Sequence, residues 1–120
     1  MCLKERSGLL EKNGLAGSVS LLVLSLLRDG DKYGYEMISQ LALRSEQVFE
    51  LKEGTLYPVL HQLEREGCLE SYSAQAPSGR ARKYYRLTSR GRKALADQEA
   101  AFRRVAGAVE QVLRRSCPEA

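Results

Sequence analysis

The stretch from Leu15 to Arg28 places Val19, Leu22, Val23, Leu26 and Leu27, with Leu21 and Leu24 between them, nearly all round a helix axis. That pattern predicts a central, buried helix, which Asp29-Gly30-Asp31 stops. A second helix is predicted from about Tyr33 to Arg44, with Tyr35, Ile38, Leu41 and Ala42 at helical spacing. Val48–Leu51 alternates weakly and reads as a very short strand. Lys52-Glu53-Gly54-Thr55 opens a third helix whose apolar stripe is Leu56, Val59, Leu60 and Leu63, and Gly67 suits its C-terminal cap. Pro58 falls about one turn into this helix, which is tolerable only near the N-terminus.

Beyond it the period changes. Cys68–Ser73 and Arg82–Leu87 read as two strands of a hairpin, joined by the turn-rich Ala74–Arg80. Alternation puts Tyr85 and Leu87 on one face, and Tyr84 and Arg86 on the other. Thr88 then caps a long helix reaching about Arg115. Leu95, Gln98, Phe102, Val105, Val109 and Val112 follow a 3-4-3-4 spacing along it, a heptad seam that fits a partner helix from a second copy. Three helices, a hairpin and a long last helix make a mostly α chain, α+β by content. The expected fold is a winged helix-turn-helix with a two-stranded β-wing and a C-terminal dimerisation helix. The expected organisation is an N-terminal extension with helical potential (1–14), the winged domain (15–87) and the dimerisation helix (88–116).

Composition changes this picture little: 120 residues, 43% hydrophobic and 28% charged, suit one small globular domain with an appended helix. Charge changes it more. The net charge is +4, yet Ser71–Ala96 holds Arg80, Arg82, Lys83, Arg86, Arg90, Arg92 and Lys93 with no acid, leaving the rest of the chain net acidic. Such a block is either a solvated surface or a footprint for a polyanion. Cys2, Cys68 and Cys117 are too scattered for a disulfide framework or a zinc knuckle, and His61 is the single histidine, so no metal or other cofactor is implied. The longest apolar run, Val19–Leu27, is too short to span a bilayer, and a cytoplasmic setting without membrane contact is expected. No nucleophile elbow or phosphate loop is present, so an enzyme is the poorest reading.

Three pieces carry a resemblance: LLVLSLLRDGDKYGYEM (21–37), ELKEGTLYPVLHQLEREGCLES (50–71) and GRARKYYRLTSRGRKAL (79–95). In this order and spacing they resemble the PadR family of bacterial transcriptional regulators over roughly residues 15–96. The resemblance implies a homodimer that binds double-stranded DNA, usually as a repressor, and a last helix that dimerises. It also implies that a tyrosine at the start of the second helix faces the DNA backbone, here Tyr35.

On that reading the third helix turns Thr55, Pro58, His61, Gln62 and Arg65 outward, with Tyr57 at the domain edge offering its hydroxyl to a phosphate. The helix is not basic, because Lys52 and Arg65 face Glu53, Glu64 and Glu66. The hairpin must therefore supply the charge: Gly79 bends a tip carrying Arg80 and Arg82 toward a minor groove, while Lys83 and Arg86 meet phosphates. Two-fold symmetry implies a palindromic operator. An effector is not identified: the chain has no tryptophan, and Phe102 in the seam fits a closed interface. The alternative is a winged-helix adaptor whose basic wing docks an acidic protein.

Overall fold

The computed structural model describes residues 15–116; the extension 1–14, Cys2 and Cys117 lie outside the described residues. Its elements in chain order are α1 (Leu15–Arg28), β1 (Lys32–Tyr33), α2 (Gly34–Arg44), α3 (Glu53–Arg65), β2 (Leu69–Gln75), β3 (Ala81–Leu87) and α4 (Ser89–Ser116). Helix α1 is central as its pattern requires: Val19, Val23, Leu24, Leu26 and Leu27 are all buried. Met37 and Leu41 of α2, the Leu56–Leu60–Leu63 stripe of α3, Leu69, Tyr85, Leu87 and Leu95 close the core around it.

The ends of α1 and α3 are set by local chemistry. Lys32 is buried, and its Nζ donates to the Leu26 carbonyl at 2.8 Å, to Asp29 Oδ1 at 2.9 Å and to the Gly30 carbonyl at 3.3 Å. An ammonium there answers carbonyls that the end of α1 leaves without intrahelical donors. At the end of α3, Gly67 adopts φ +80°. Its N–H donates to the Glu64 carbonyl at 3.0 Å, and the Cys68 N–H donates to the Leu63 carbonyl at 2.9 Å. This is a Schellman motif with glycine in the left-handed position. Pro58 lies inside α3 without ending it; its missing N–H leaves the Gly54 carbonyl without its helical donor, a loss the exposed first turn tolerates.

Two elements differ from the sequence expectation. Val48–Leu51 forms no strand; instead Glu46 and Gln47 turn the chain with φ of +53° and +69°. The Ser45 hydroxyl steadies that turn, donating to the Leu41 carbonyl at 2.8 Å and accepting from the Phe49 N–H at 3.0 Å. The sheet has three strands rather than two, in the antiparallel order β1-β3-β2. Lys32 and Tyr33 pair with Tyr85 and Tyr84, a ladder too short to leave any alternation in the sequence.

Candidate nucleic-acid interface

Burial of Leu56, Leu60 and Leu63 rotates the opposite face of α3 outward, and Thr55, Pro58, His61, Gln62 and Arg65 are all exposed. Lys52, the N-cap residue, is exposed beside them. Within the stripe Gln62 is already engaged: its amide donates to Glu66 Oε2 at 2.8 Å and accepts from Arg65 Nη2 at 2.6 Å. These bonds are exposed and easily exchanged for others. Glu64 turns inward enough to accept the Ser71 hydroxyl at 2.7 Å. Tyr57 sits differently from the expectation. Its ring is half-buried, and its hydroxyl end lies against Gly34, where any Cβ would collide with it. It therefore packs α3 onto the start of α2, and glycine at position 34 is what allows that approach. Tyr35, one residue on, is 61% exposed.

The hairpin tip turns at Gly79, with φ +88°, and the Gly79 N–H donates to the Ala76 carbonyl at 2.7 Å. Arg80 is exposed at the tip. Along β3, Arg82 and Arg86 share the outer face with Tyr84, whereas Lys83 shares the inner face with Tyr85. Lys83 Nζ lies 5.5 Å from the centroid of the Tyr85 ring. Burial pushes the Tyr85 phenol above its usual range, the Lys83 ammonium pulling the other way. The expected phosphate cations are thus not equivalent. Arg86 pairs with Glu70 across the strands at 3.2 Å, while Arg80, Arg82 and Lys83 have no carboxylate partner among the described residues.

The rest of the basic block lies on α4 and has other tasks. Arg90 Nη1 donates to the Glu66 carbonyl at 3.3 Å, Lys93 pairs with Asp97 at 3.2 Å, and Arg92 is exposed.

The outer face of the sheet holds what the sequence reading missed. Tyr33, Tyr84 and Tyr72 stand opposite one another across β1, β3 and β2. Tyr33 meets Tyr84 edge-on with centroids 5.3 Å apart, and Tyr84 stacks on Tyr72 at 5.7 Å. The Tyr72 hydroxyl donates to Asp31 Oδ2 at 2.6 Å. That bond, chiefly, raises the Tyr72 phenol pKa. An arginine covers each end of the row: the Arg82 guanidinium is 5.1 Å from the Tyr33 centroid and that of Arg86 is 5.0 Å from Tyr72. The signal in the sequence was the alternation of β3, but the row needs the register of two further strands.

The seam on α4 divides. Leu95 is buried in its own domain, and Gln98 Nε2 donates to the Ser20 hydroxyl of α1 at 3.5 Å. These two positions hold α4 to α1, so Leu95 is corrected from a dimer position to a core position: the same apolar period continues from one packing surface to the next. Phe102, Val105, Val109 and Val112, with Leu113 beside them, are each more than half exposed. Between α1 and α4 an open hollow of about 240 Å³ is lined by Leu21, Leu22, Phe49 and Phe102 and rimmed by the Arg28–Glu99–Arg103 ion pairs. No helix among the described residues is long and apolar enough to cross a membrane.

Known proteins share this fold. The profile of the Transcriptional regulator PadR-like family matches residues 23–97. A transcriptional regulator of Mycobacterium tuberculosis is 36% identical over 89 residues, covering 74% of this chain and 79% of that protein. The crystal structure of a PadR family transcriptional regulator from Eggerthella lenta is 35% identical with a TM-score of 0.71, covering 90% of each chain. A transcriptional regulator from Clostridium thermocellum superposes with a TM-score of 0.75 at 29% identity, covering 83% of this chain and 97% of the other.

Proposed function

The chain belongs to the Transcriptional regulator PadR-like family, and from that premise we propose that it binds double-stranded DNA as a homodimer and represses transcription from a palindromic operator. Members of this family are transcriptional regulators rather than enzymes. One observation carries the reading: the exposed stripe of α3 stands beside a wing whose Arg80, Arg82 and Lys83 are left without carboxylate partners among the described residues. Thr55, Pro58, His61, Gln62 and Arg65 reach base edges and phosphates of one major groove, with Lys52 and Tyr35 on the flanking backbone. The wing supplies the phosphate-neutralising charge that α3 lacks. The winged domain is residues 15–87, and the helix of residues 88–116 pairs with its copy through Phe102, Val105, Val109 and Val112, an exposed apolar edge with no partner among the described residues.

Selection of bound duplexes from a random pool tests this. The expected product is a palindrome with half-sites about 10 base pairs apart, centre to centre. Affinity should fall with salt as for roughly 6–10 phosphate contacts. Arg80→Ala with Arg82→Ala should weaken binding to every sequence, whereas Thr55→Ala or Gln62→Ala should alter the preferred sequence. An unenriched pool, or a flat salt dependence, would refute DNA reading and leave a protein-docking wing.

A further inference from the structure

We infer that Tyr33 is a positioning residue for DNA binding: its ring is the bed that holds the Arg82 guanidinium where the wing meets a phosphate. The inference rests on the DNA-binding reading above and deepens it. Tyr33 stands opposite Tyr84, and Arg82 is two residues along β3, so the two are diagonal neighbours across the β1–β3 ladder. At that diagonal distance a long side chain and an aromatic ring reach each other. The guanidinium carbon lies 5.1 Å from the ring centroid, within the range of a cation–π contact.

Two further observations separate this arginine from the others on the sheet. Arg86, its counterpart at the far end of the row, already has a carboxylate partner, Glu70, in an exposed bridge. Arg82 has no ion pair among the described residues, and its Nε is buried without a hydrogen-bond partner. A cation with one nitrogen closed off against the sheet keeps its terminal nitrogens as the donors it can offer, in a fixed fork suited to a phosphate. The bed itself is firm. Tyr33 is braced edge-on by Tyr84, Tyr84 by the stacked Tyr72, and Tyr72 by its hydrogen bond to Asp31. Tyr33 is also the N-cap residue of α2, and its N–H donates to Glu36 Oε1 at 3.4 Å. Arg82 is thereby tied to the helix-turn-helix body rather than to the hairpin alone. A flexible wing arginine would lose rotamer freedom on binding; one held on Tyr33 has lost most of it beforehand.

The test is a double-mutant cycle on the full chain, read by retardation of an arbitrary-sequence duplex over a range of salt concentrations. Tyr33→Phe keeps the bed and should bind as the wild type does. Tyr33→Leu should weaken binding by about three- to tenfold, the cost of immobilising one free arginine side chain on binding, and Arg82→Ala by at least as much. Arg82→Ala should also lower the salt slope by about one, as for one lost phosphate contact, whereas Tyr33→Leu keeps the charge and should leave the slope close to that of the wild type. The double variant should lose little more than Arg82→Ala alone, because the ring acts only through that arginine. A purely structural role for Tyr33 predicts additive losses, and that result would overturn the inference while leaving DNA binding intact. A wild type that retards no duplex would overturn the underlying reading as well. The bed is also visible without DNA: the Arg82 δ-methylene protons should be shifted upfield by the ring current in the wild type and Tyr33→Phe, and not in Tyr33→Leu. Unshifted protons in the wild type would equally defeat the inference.

Discussion

Gly91 and Gly107 lie sixteen residues apart on one helix, and replacing each by alanine should move stability in opposite directions. At Gly91 an added Cβ would collide with the Cys68 carbonyl oxygen, and would lie 3.0 Å from Leu87 Cδ2. The flexible leucine can yield, but the carbonyl cannot do so easily. It accepts the Thr88 N–H at 3.1 Å, and Cys68 itself supplies the closing N–H of the Schellman turn that ends α3. Thr88 in turn caps α4, its hydroxyl accepting the Gly91 N–H at 3.0 Å and donating to the Gly67 carbonyl at 2.6 Å. A methyl at position 91 therefore pushes on the joint where α3, β2 and α4 meet. Overpacking of this kind costs about 1–3 kcal/mol, against about 1 kcal/mol gained from alanine's helix propensity, and a rigid obstacle places the clash near the top of its range. The net expectation is a loss of about 1–2 kcal/mol.

Among the described residues Gly107 has nothing within 4 Å of its would-be Cβ. In the heptad that sets Phe102, Val105 and Val109 along the seam, it falls on the side away from a partner helix. Alanine there should stabilise by about 0.5–1 kcal/mol through backbone entropy alone. Thermal melts at one fixed protein concentration read both, the concentration mattering because dimerisation shifts the midpoint. At about 4 °C per kcal/mol for a chain of this size, Gly91→Ala should lower Tm by about 4–8 °C and Gly107→Ala raise it by about 2–4 °C. A Gly91→Ala protein as stable as the wild type would refute the joint; a Gly107→Ala protein that melts lower would refute the placement of that face.

The other stability predictions concern buried polar groups. Lys32→Met should destabilise by about 1–3 kcal/mol in urea unfolding, because it strips the donor from the buried Leu26 carbonyl; most of the effect should survive in high salt, since the Asp29 end of the contact is exposed and contributes little. A loss that salt abolishes would assign the effect to the ion pair instead. The Tyr85 phenol is held above its usual range by burial, so the folded chain keeps that proton where the unfolded chain, near pH 10, loses it. Its contribution is present in full below the unfolded pKa and vanishes as pH rises through the folded one; the urea midpoint should fall at alkaline pH, and Tyr85→Phe should flatten that fall. An equally steep fall in Tyr85→Phe would assign it to other groups.

What was legible in the sequence was whatever one element determines by itself. The all-round apolar pattern of Val19–Leu27 marks a central helix, and the Leu56–Leu60–Leu63 stripe locates the outward face of α3. What was not legible depends on two elements at once. β1 is two residues long, so no period marks it, yet it supplies the third ring of the tyrosine row. The turn at Glu46 and Gln47 uses left-handed backbone without glycine, the residue that normally signals it, and the neighbouring Val48–Leu51 alternation then imitates a strand. Tyr57 reads as a polar handle at a helix edge, but the gap above Gly34 draws its ring inward.

The same distinction applies to charge. Seven cations between Ser71 and Ala96 look like one basic surface, and proximity in sequence gives no reason to separate them. Geometry separates them by what lies within reach. Arg86 and Lys93 meet carboxylates, and Arg90 meets the carbonyl that ends α3. Arg86 and Lys93 must first release their exposed carboxylates, a small cost, whereas those left without an acid can exchange water for phosphate with no partner to give up. Arg80, Arg82 and Lys83 satisfy that condition together at the wing. Among them Arg82 alone has an aromatic ring from another element of the winged domain beneath its guanidinium, while Lys83 rests on Tyr85 of its own strand. Affinity should therefore depend on the wing more steeply at Arg82 than its share of the net charge implies, since preorganisation adds to a contact that charge alone only attracts.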